Sequence, residues 1–188
     1  MKKLIIIALT LFTIAAQAQE DSTYRKGFLI GFGIGGGVIS IADSKTGENF
    51  DHVQGGMSFP NLKIGFMIND RLAFIGTMGG MMYDLEDKDR SFQTIAPTIQ
   101  FWIKDRWYIN GGLGLAMDMP ALYEIEDFES EDWNFGCALV ASTGYEVFKR
   151  RNFAIDVQGK LLLGRTNLGD DQHRDAASFF LGLGFNWY

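Results

Sequence analysis

Large apolar side chains alternate with small or polar ones along most of this chain. In residues 107–118, for example, Ile109 and Leu115 occupy odd positions, whereas Asn110 and Gly112 occupy even ones. Because consecutive side chains of a strand point to opposite faces, this period of two predicts β-strands with one apolar face. The same regular pattern covers residues 28–38, 107–118, 133–148, 153–164 and 178–187.

Three further segments, 56–68, 71–83 and 92–103, are predicted to be strands with a less regular pattern. In 56–68, Met57 and Phe59 are out of phase with the later apolar residues, which predicts a β-bulge near Pro60. Residues 71–83 are apolar but show no clear face. The chain is therefore predicted to contain eight strands.

Short connections alternate with longer polar ones between these strands. The short connections are 69–70, 104–106 and 149–152, and the longer ones are 41–55, 84–91, 119–132 and 165–175. This alternation predicts an antiparallel meander with the short turns and both chain ends at one end and the long loops at the other. The strands exceed the roughly 5 or 6 residues usual in soluble proteins and accommodate the roughly 9 to 11 needed to cross a bilayer.

The chemistry of the two strand faces distinguishes a soluble barrel from a membrane barrel. A soluble barrel shows water a face rich in charged residues, whereas the second face here is mainly Gly, Ala, Ser, Thr and Asn. Such a face suits the narrow interior of a small barrel, so the apolar face is predicted to meet lipid. The fold class is thus all-β, an eight-stranded antiparallel up-and-down transmembrane β-barrel; a soluble β-sandwich with an aromatic core is the alternative. Aromatic residues near strand ends are assigned to interfacial girdles: Trp102, Trp107, Tyr108, Trp133, Phe153, Trp187 and Tyr188.

The last residues of the chain read Gly182-Leu183-Gly184-Phe185-Asn186-Trp187-Tyr188. This ending resembles the C-terminal strand signal of outer-membrane barrels, with Phe185 and Trp187 as alternate aromatics and Tyr188 pointing the other way. The whole chain after its leader resembles the small eight-stranded outer-membrane barrels that include OmpA-like and OmpX-like domains. The resemblance implies insertion by the barrel-assembly machinery, contact with outer-membrane lipid and lipopolysaccharide, short turns in the periplasm and long loops outside.

The N-terminal residues have the pattern of a secretory signal peptide. Two lysines precede an apolar run at 4–16, and a small-residue cleavage site ends at Ala18. The run is shorter than the roughly 20 residues of a membrane-spanning helix. We therefore predict a signal peptide at 1–18 and an outer-membrane barrel domain at 19–188.

Composition and charge exclude several functional classes. The net charge of -6 argues against a nucleic-acid partner, which requires a basic face. The single cysteine, Cys137, excludes an intramolecular disulfide scaffold. Acidic residues outnumber basic ones in each longer loop, whereas the short turns are neutral or basic, so the two ends of the barrel are predicted to differ in charge.

Four charged residues fall on the small, polar strand face and are the candidate lumen residues: Lys63, Glu146, Asp156 and Lys160. An eight-stranded barrel has an interior just wide enough for its own side chains, and a charge buried there must be paired. We predict that these residues form a buried ion-pair network that plugs the lumen, which argues against a general diffusion pore.

The third long loop contains six acidic residues and no basic one: Glu124, Glu126, Asp127, Glu129, Glu131 and Asp132. These carboxylates are candidate ligands for Ca²⁺ or Mg²⁺, directly or as a bridge to lipopolysaccharide phosphate, because hard cations take oxygen ligands. The alternative is a solvated acidic loop, since EF-hand spacing with its turn glycine is lacking. No cofactor is predicted.

A catalytic interpretation rests on the two histidines, His52 and His173, both in predicted outer loops. His173 has the residue types of a triad close by in sequence, namely Asp170, Asp171, Asp175 and Ser178. Nearness in a loop is not triad geometry, so the prediction is a protein that is not an enzyme, with lipid modification as a lesser alternative.

The function predicted from the sequence is a structural or interaction role in the outer membrane: envelope stabilisation, loop display, or a subunit of a surface or secretion complex. The alternative is transport of small hydrophobic molecules through a lateral opening. The methionine-rich stretch of Met78, Met81 and Met82 could line such a path, although adaptable packing also explains it.

Overall fold

The computed structural model describes residues 25–47, 49–50, 52–85, 88–121 and 133–188. The strands are β1 (Phe28–Asp43), β2 (Val53–Asn69), β3 (Leu72–Leu85), β4 (Lys88–Trp102), β5 (Trp107–Pro120), β6 (Asn134–Arg150), β7 (Phe153–Gly169) and β8 (Gln172–Trp187). The predicted signal peptide at 1–18 lies outside the described residues. None of the described residues forms a helix long and apolar enough to cross a membrane.

Each strand pairs antiparallel with its neighbours in sequence, and β1 also pairs with β8, so the sheet closes into a barrel. At the closing seam, Phe32 lies opposite Leu62 on one side and Phe185 on the other. Closure removes both sheet edges, and therefore every strand has two hydrogen-bonded neighbours. The predicted all-β, eight-stranded up-and-down barrel is confirmed.

The barrel has an apolar outer wall and an interior of mixed polar and apolar side chains. On β8, Phe179 and Leu181 are exposed on the outside, whereas Ser178 and Phe180 are buried inside. The same alternation runs through β4, β5 and β7. A contiguous apolar exterior around a polar interior is the inverse of a soluble barrel and suits a lipid environment.

Among the register irregularities of the described strands, two away from the strand ends on β2 and β6 set which side chains point inward. Gly33 pairs with Asn61 and Gly35 with Ser58, so β2 has one extra residue at the predicted position next to Pro60. A second irregularity, not predicted, lies on β6 between Glu146 and Phe148. It restarts the alternation, so that Glu146 is buried, Phe148 is exposed and Lys149 again points inward.

Two of the four segments that were predicted to be long loops form mostly strand. Most of 84–91 belongs to β3 and β4, and most of 165–175 belongs to β7 and β8, which are joined by a tight turn at Asp170 and Asp171. Both turn residues have positive φ, of 47° and 61°. The strands continue beyond the apolar belt with polar side chains on both faces, so the hydrophobic alternation ends before the strand does.

The prediction that all the aromatic residues near strand ends form an external girdle is also wrong, because some of them lie inside the barrel. Trp102, Tyr108 and Tyr188 lie inside the barrel, whereas Trp107 and Trp187 are exposed on its outer wall. Strand parity explains this, because Trp102 is in phase with inward-facing Gln100 and Tyr108 with inward-facing Asn110. We call the end of the barrel that holds Arg25 and Tyr188 the terminus end, and the opposite end the loop end.

Candidate functional site

The carboxylate of Glu146 organises the interior at the terminus end. Its Oε1 accepts hydrogen bonds from Trp102 Nε1 at 2.9 Å and from the Tyr188 hydroxyl at 2.8 Å. Its Oε2 accepts one from Arg25 at 2.7 Å. The side chain is fully buried, so both of its oxygens exchange water for protein donors.

Arg25 precedes β1 and turns back into the barrel opening. Its guanidinium carbon lies 4.6 Å from the centre of the Trp102 ring and 5.8 Å from that of Tyr188. The guanidinium also donates to the backbone oxygen of Asp105 in the β4–β5 turn. A cation held between two rings and a carboxylate closes this end of the barrel. The residues Arg25, Trp102, Glu146 and Tyr188 are called the terminus cluster below.

Next to the terminus cluster, Lys63 and Asp156 are joined through a tyrosine. Lys63 Nζ donates to the Tyr108 hydroxyl at 3.0 Å, and that hydroxyl donates to Asp156 Oδ2 at 2.9 Å. Asn186 donates to the same carboxylate oxygen at 2.7 Å. The Tyr108 ring fits because it faces Gly144, where a Cβ would approach the ring carbon Cε1 to 2.7 Å.

The middle of the lumen is occupied by Lys160. Its Nζ donates to Asn61 Oδ1 at 3.0 Å and lies 5.1 Å from the centre of the Phe180 ring. Beyond it toward the loop end, a group of apolar side chains fills the interior, including Ile39, Met81, Phe92 and Phe180.

A second group of charges closes the interior at the loop end. Asp118 accepts two hydrogen bonds from Arg90, at 3.1 and 3.0 Å, and one from the Tyr83 hydroxyl at 2.6 Å. It also pairs with Arg174, whose Nε donates to Asp43 at 2.7 Å. Both carboxylates are fully buried. The residues Asp43, Tyr83, Arg90, Asp118 and Arg174 are called the loop-end cluster below.

The four predicted lumen residues are all buried inside the barrel, at 5% exposure or less. They do not form one directly paired network: Glu146 pairs with Arg25, and Lys63 reaches Asp156 only through Tyr108. Lys160 is bound by an amide. The reason is the barrel's narrow cross-section, in which the tyrosine ring and Asn61 occupy the space between opposite walls.

Sequence reasoning missed the charged partners at both ends. Arg25 lies before the first periodic segment, and Asp43, Arg90 and Arg174 fall in segments interpreted as loops. Asp118 is the last residue of a segment that was correctly predicted to be a strand. Its even position places it on the inward face and could have identified it as a lumen residue. The inward orientation of Lys149 was missed because the sequence did not predict the bulge on β6.

The turns at the terminus end carry a further ion pair. Lys149 Nζ donates to Asp105 Oδ1 at 2.7 Å, and this hydrogen bond, with the charges of Lys149 and Arg25, holds the pKa of Asp105 below its ordinary value. Because the Asp105 side chain is 72% exposed, solvent screens the pair. It links the β4–β5 and β6–β7 turns without contributing much stability.

The candidate catalytic residues are not assembled into a triad. His173 Nε2 lies 3.8 Å from Asp175 Oδ2, and both side chains are on the outer wall of β8. Ser178 points into the lumen and is buried. His52 is exposed before β2. A nucleophile and a base on opposite faces of one strand cannot share a proton.

The candidate cation ligands Glu124, Glu126, Asp127, Glu129, Glu131 and Asp132 lie outside the described residues. Among the residues that are described, no group of three or more His, Cys, Asp or Glu could hold a metal ion. The methionines divide between the two faces of β3, with Met81 fully buried in the lumen and Met78 and Met82 half-buried.

Comparison with known proteins supports the fold. No protein-family model and no curated protein matches the chain. Ail, the attachment invasion locus protein of Yersinia pestis, solved with the heparin analogue sucrose octasulfate, is similar with a TM-score of 0.53 and 16% identity over 86% of this chain and 99% of Ail. Neisserial surface protein A is similar with a TM-score of 0.53 and 18% identity over 86% of this chain and 96% of its own. The chain has the fold of the small outer-membrane β-barrels.

Proposed function

We propose that this protein is an integral outer-membrane barrel that conducts no solutes and acts by displaying its loop end outside the cell. The observation that carries the proposal is the filled interior. The terminus cluster, the Lys160 and Phe180 layer and the loop-end cluster lie one above another between the two ends of the barrel. With its interior filled, the barrel is a rigid support for what its loops contact.

Conductance of the refolded full chain in planar bilayers tests the closed lumen. We expect no discrete large currents from the wild type. The double variant Tyr108→Ala/Phe180→Ala removes one ring from each of two layers, and we expect it to open small currents. Phe179→Ala is the matched control, because it removes a ring from the outer wall of β8, the strand that carries Phe180. It should show no currents. Discrete large wild-type currents would contradict the closed lumen.

The orientation is tested by cysteine labelling in a Cys137→Ser background. Asp170→Cys places a thiol in the β7–β8 turn at the loop end, and Asp70→Cys places one in the β2–β3 turn at the terminus end. We expect a membrane-impermeant maleimide to label the first variant in intact bacterial cells and the second only after permeabilisation. Labelling in the opposite order would place the loop end in the periplasm.

An interaction role is favoured over catalysis and over lateral transport. The separation of His173 and Ser178 on opposite faces argues against hydrolysis by these residues. Met81 packs within the apolar lumen cluster, so packing explains it without a transport path. Ail has been solved with a sulfated ligand, which supports the proposal that small barrels of this fold bind partners.

A further inference from the structure

An apolar groove of about 610 Å³ lies on the outer wall across β5, β6, β7 and β8. Its sides are large exposed side chains: Trp107 and Ile109 on β5 and Phe179 and Leu181 on β8. The groove begins beside the β4–β5 turn, at the row where Trp107 pairs with Tyr145. It therefore lies in the half of the belt next to the terminus end.

The floor of the groove consists of small residues on adjacent strands. Ala141 lies opposite Gly111 and Leu161, and Thr143 lies opposite Ile109 and Gly159. From Tyr145 to Ala141 the groove runs for about 13 Å at the rise of an extended strand. One leaflet of the hydrocarbon core is about 15 Å deep, so the groove has the length of a leaflet-deep acyl chain.

The polar side-chain atoms of Trp107 and Thr143, at the end of the groove next to the turns, are already hydrogen-bonded within the protein. Trp107 Nε1 donates to Thr143 Oγ1 at 2.8 Å, and that hydroxyl donates to the backbone oxygen of Tyr108 at 2.9 Å. These bonds leave an apolar surface beside the indole. The groove thus offers packing to a hydrocarbon chain rather than hydrogen bonds to a polar ligand.

Basic residues lie in and beside the two turns next to this end of the groove. Arg106 directly precedes Trp107, and its backbone oxygen accepts a hydrogen bond from the amide of Glu146 at 2.8 Å, so it is adjacent to the groove mouth. Lys104, Arg150 and Arg151 are exposed at the same end of the barrel. Asp105 is the acidic residue of the same turn, and its carboxylate accepts a hydrogen bond from Lys149, so the remaining basic residues leave the rim net positive. A net positive rim above an apolar slot complements an anionic lipid headgroup.

A second depression on the same wall lacks this combination. It lies nearer the loop end, between Leu113, Leu139 and Leu163, and its arginine, Arg165, pairs with Asp175 at 2.6 Å. The charges of Arg165 and Asp175 cancel, so this pair leaves the polar end of the second depression without a net positive charge. The charge pattern therefore singles out the groove near the terminus end.

We propose that this groove holds one anionic phospholipid of the periplasmic leaflet, with an acyl chain over Ala141 and Gly159 and its phosphate at Arg106. The inference rests on the proposed membrane insertion and orientation. The apolar slot would hold the hydrocarbon chain of the lipid, and the basic rim would bind its phosphate. A lipopolysaccharide molecule or a second copy of this chain in the groove is a different occupant, and the test separates them.

Native mass spectrometry of the full chain, released from vesicles of equal phosphatidylglycerol and phosphatidylcholine with added lipopolysaccharide, tests the proposal. We expect one retained phosphatidylglycerol per wild-type chain. Ala141→Leu/Gly159→Leu fills the slot and should lower that occupancy about tenfold. Arg106→Gln should lower the preference for phosphatidylglycerol over phosphatidylcholine about fivefold while leaving a lipid bound.

Gly76→Leu is the matched control, because it adds the same side chain to an outward-facing glycine of β3, where a Cβ makes only ordinary contact with Ile64. It should retain the wild-type lipid. Unchanged occupancy in the slot-filled variant, lipopolysaccharide retained in place of phospholipid, or a dimer abolished by slot filling would each overturn the inference. A chain that does not insert into the vesicles contradicts the proposed function instead, and protection from added protease reports insertion separately.

Discussion

Replacing Glu146 by alanine is expected to destabilise the folded barrel by about 3–5 kcal/mol. The substitution leaves the buried Arg25 guanidinium without its carboxylate and removes the acceptor of the Trp102 and Tyr188 hydrogen bonds. A buried cation that loses its partner carries an uncompensated desolvation cost, and two buried donors are left unsatisfied. Urea titration in detergent micelles or vesicles, followed by the heat-dependent shift of the folded band in gels, measures the change.

Two companion variants make the Glu146 prediction specific. Asp105→Ala removes an exposed carboxylate that pairs with Lys149 and lies 4.0 Å from Arg25, and it should cost less than about 1 kcal/mol. The double variant Arg25→Met/Glu146→Leu removes the buried charges together and should recover much of the lost stability. Equal losses for Glu146→Ala and Asp105→Ala would show that the terminus cluster does not act as a buried ion pair.

The terminus cluster also joins the start of β1 to the end of β8. Arg25 enters just before β1 and Tyr188 follows β8, and these two strands form the closing seam. Both residues donate to the one carboxylate of Glu146, which is 121 residues from Arg25 and 42 from Tyr188 in the sequence. The inward orientation of Tyr188 thus has a structural use, because the last residue of the predicted assembly signal, Phe185, Trp187 and Tyr188, stabilises the seam from inside the barrel.

Strand parity predicted the wall of the barrel but not the contacts inside it. Ile109 and Leu115 outside, with Asn110 inside, follow directly from the period of two. Trp102 and Tyr108 obey the same parity, yet their positions at strand ends suggested a girdle, and in a narrow lumen the parity was the better guide. Arg25 is 121 residues from Glu146, and no local pattern encodes a pair at that separation.

The extension of the strands at the loop end was missed in the sequence for a different physical reason. Hydrophobic alternation reports which side chains touch lipid, and it ends where the belt ends, whereas backbone pairing continues. Arg165 lies opposite Asp175 on the outer wall, and Thr166 lies opposite Arg174 toward the interior. A polar hairpin of this kind looks like a loop in the sequence. Arg174, an inward-facing residue of this hairpin, belongs to the loop-end cluster.

Replacing Asp118 by alanine is expected to loosen the loop end by about 3–5 kcal/mol while leaving the terminus cluster intact. Asp118 is fully buried between Arg90 and Arg174 and accepts a hydrogen bond from the Tyr83 hydroxyl, so its loss leaves two guanidinium groups close together without the carboxylate between them. The like charges then repel in a poorly hydrated interior. Hydrogen exchange should rise at the outer ends of β3, β4, β5 and β8 and stay unchanged around Glu146.

Asp175→Ala is the matched control for Asp118→Ala, because it removes a carboxylate from an arginine on the outer wall of the same end. The Arg165 side chain there is 59% exposed, so this pair should contribute no more than about 1 kcal/mol. A similar rise in exchange for both variants would mean that the loop end is held by backbone pairing alone. A rise that spreads to the terminus end in Asp118→Ala would mean that the two clusters unfold as one unit, since only independent layers confine the effect of a buried charge to its own end.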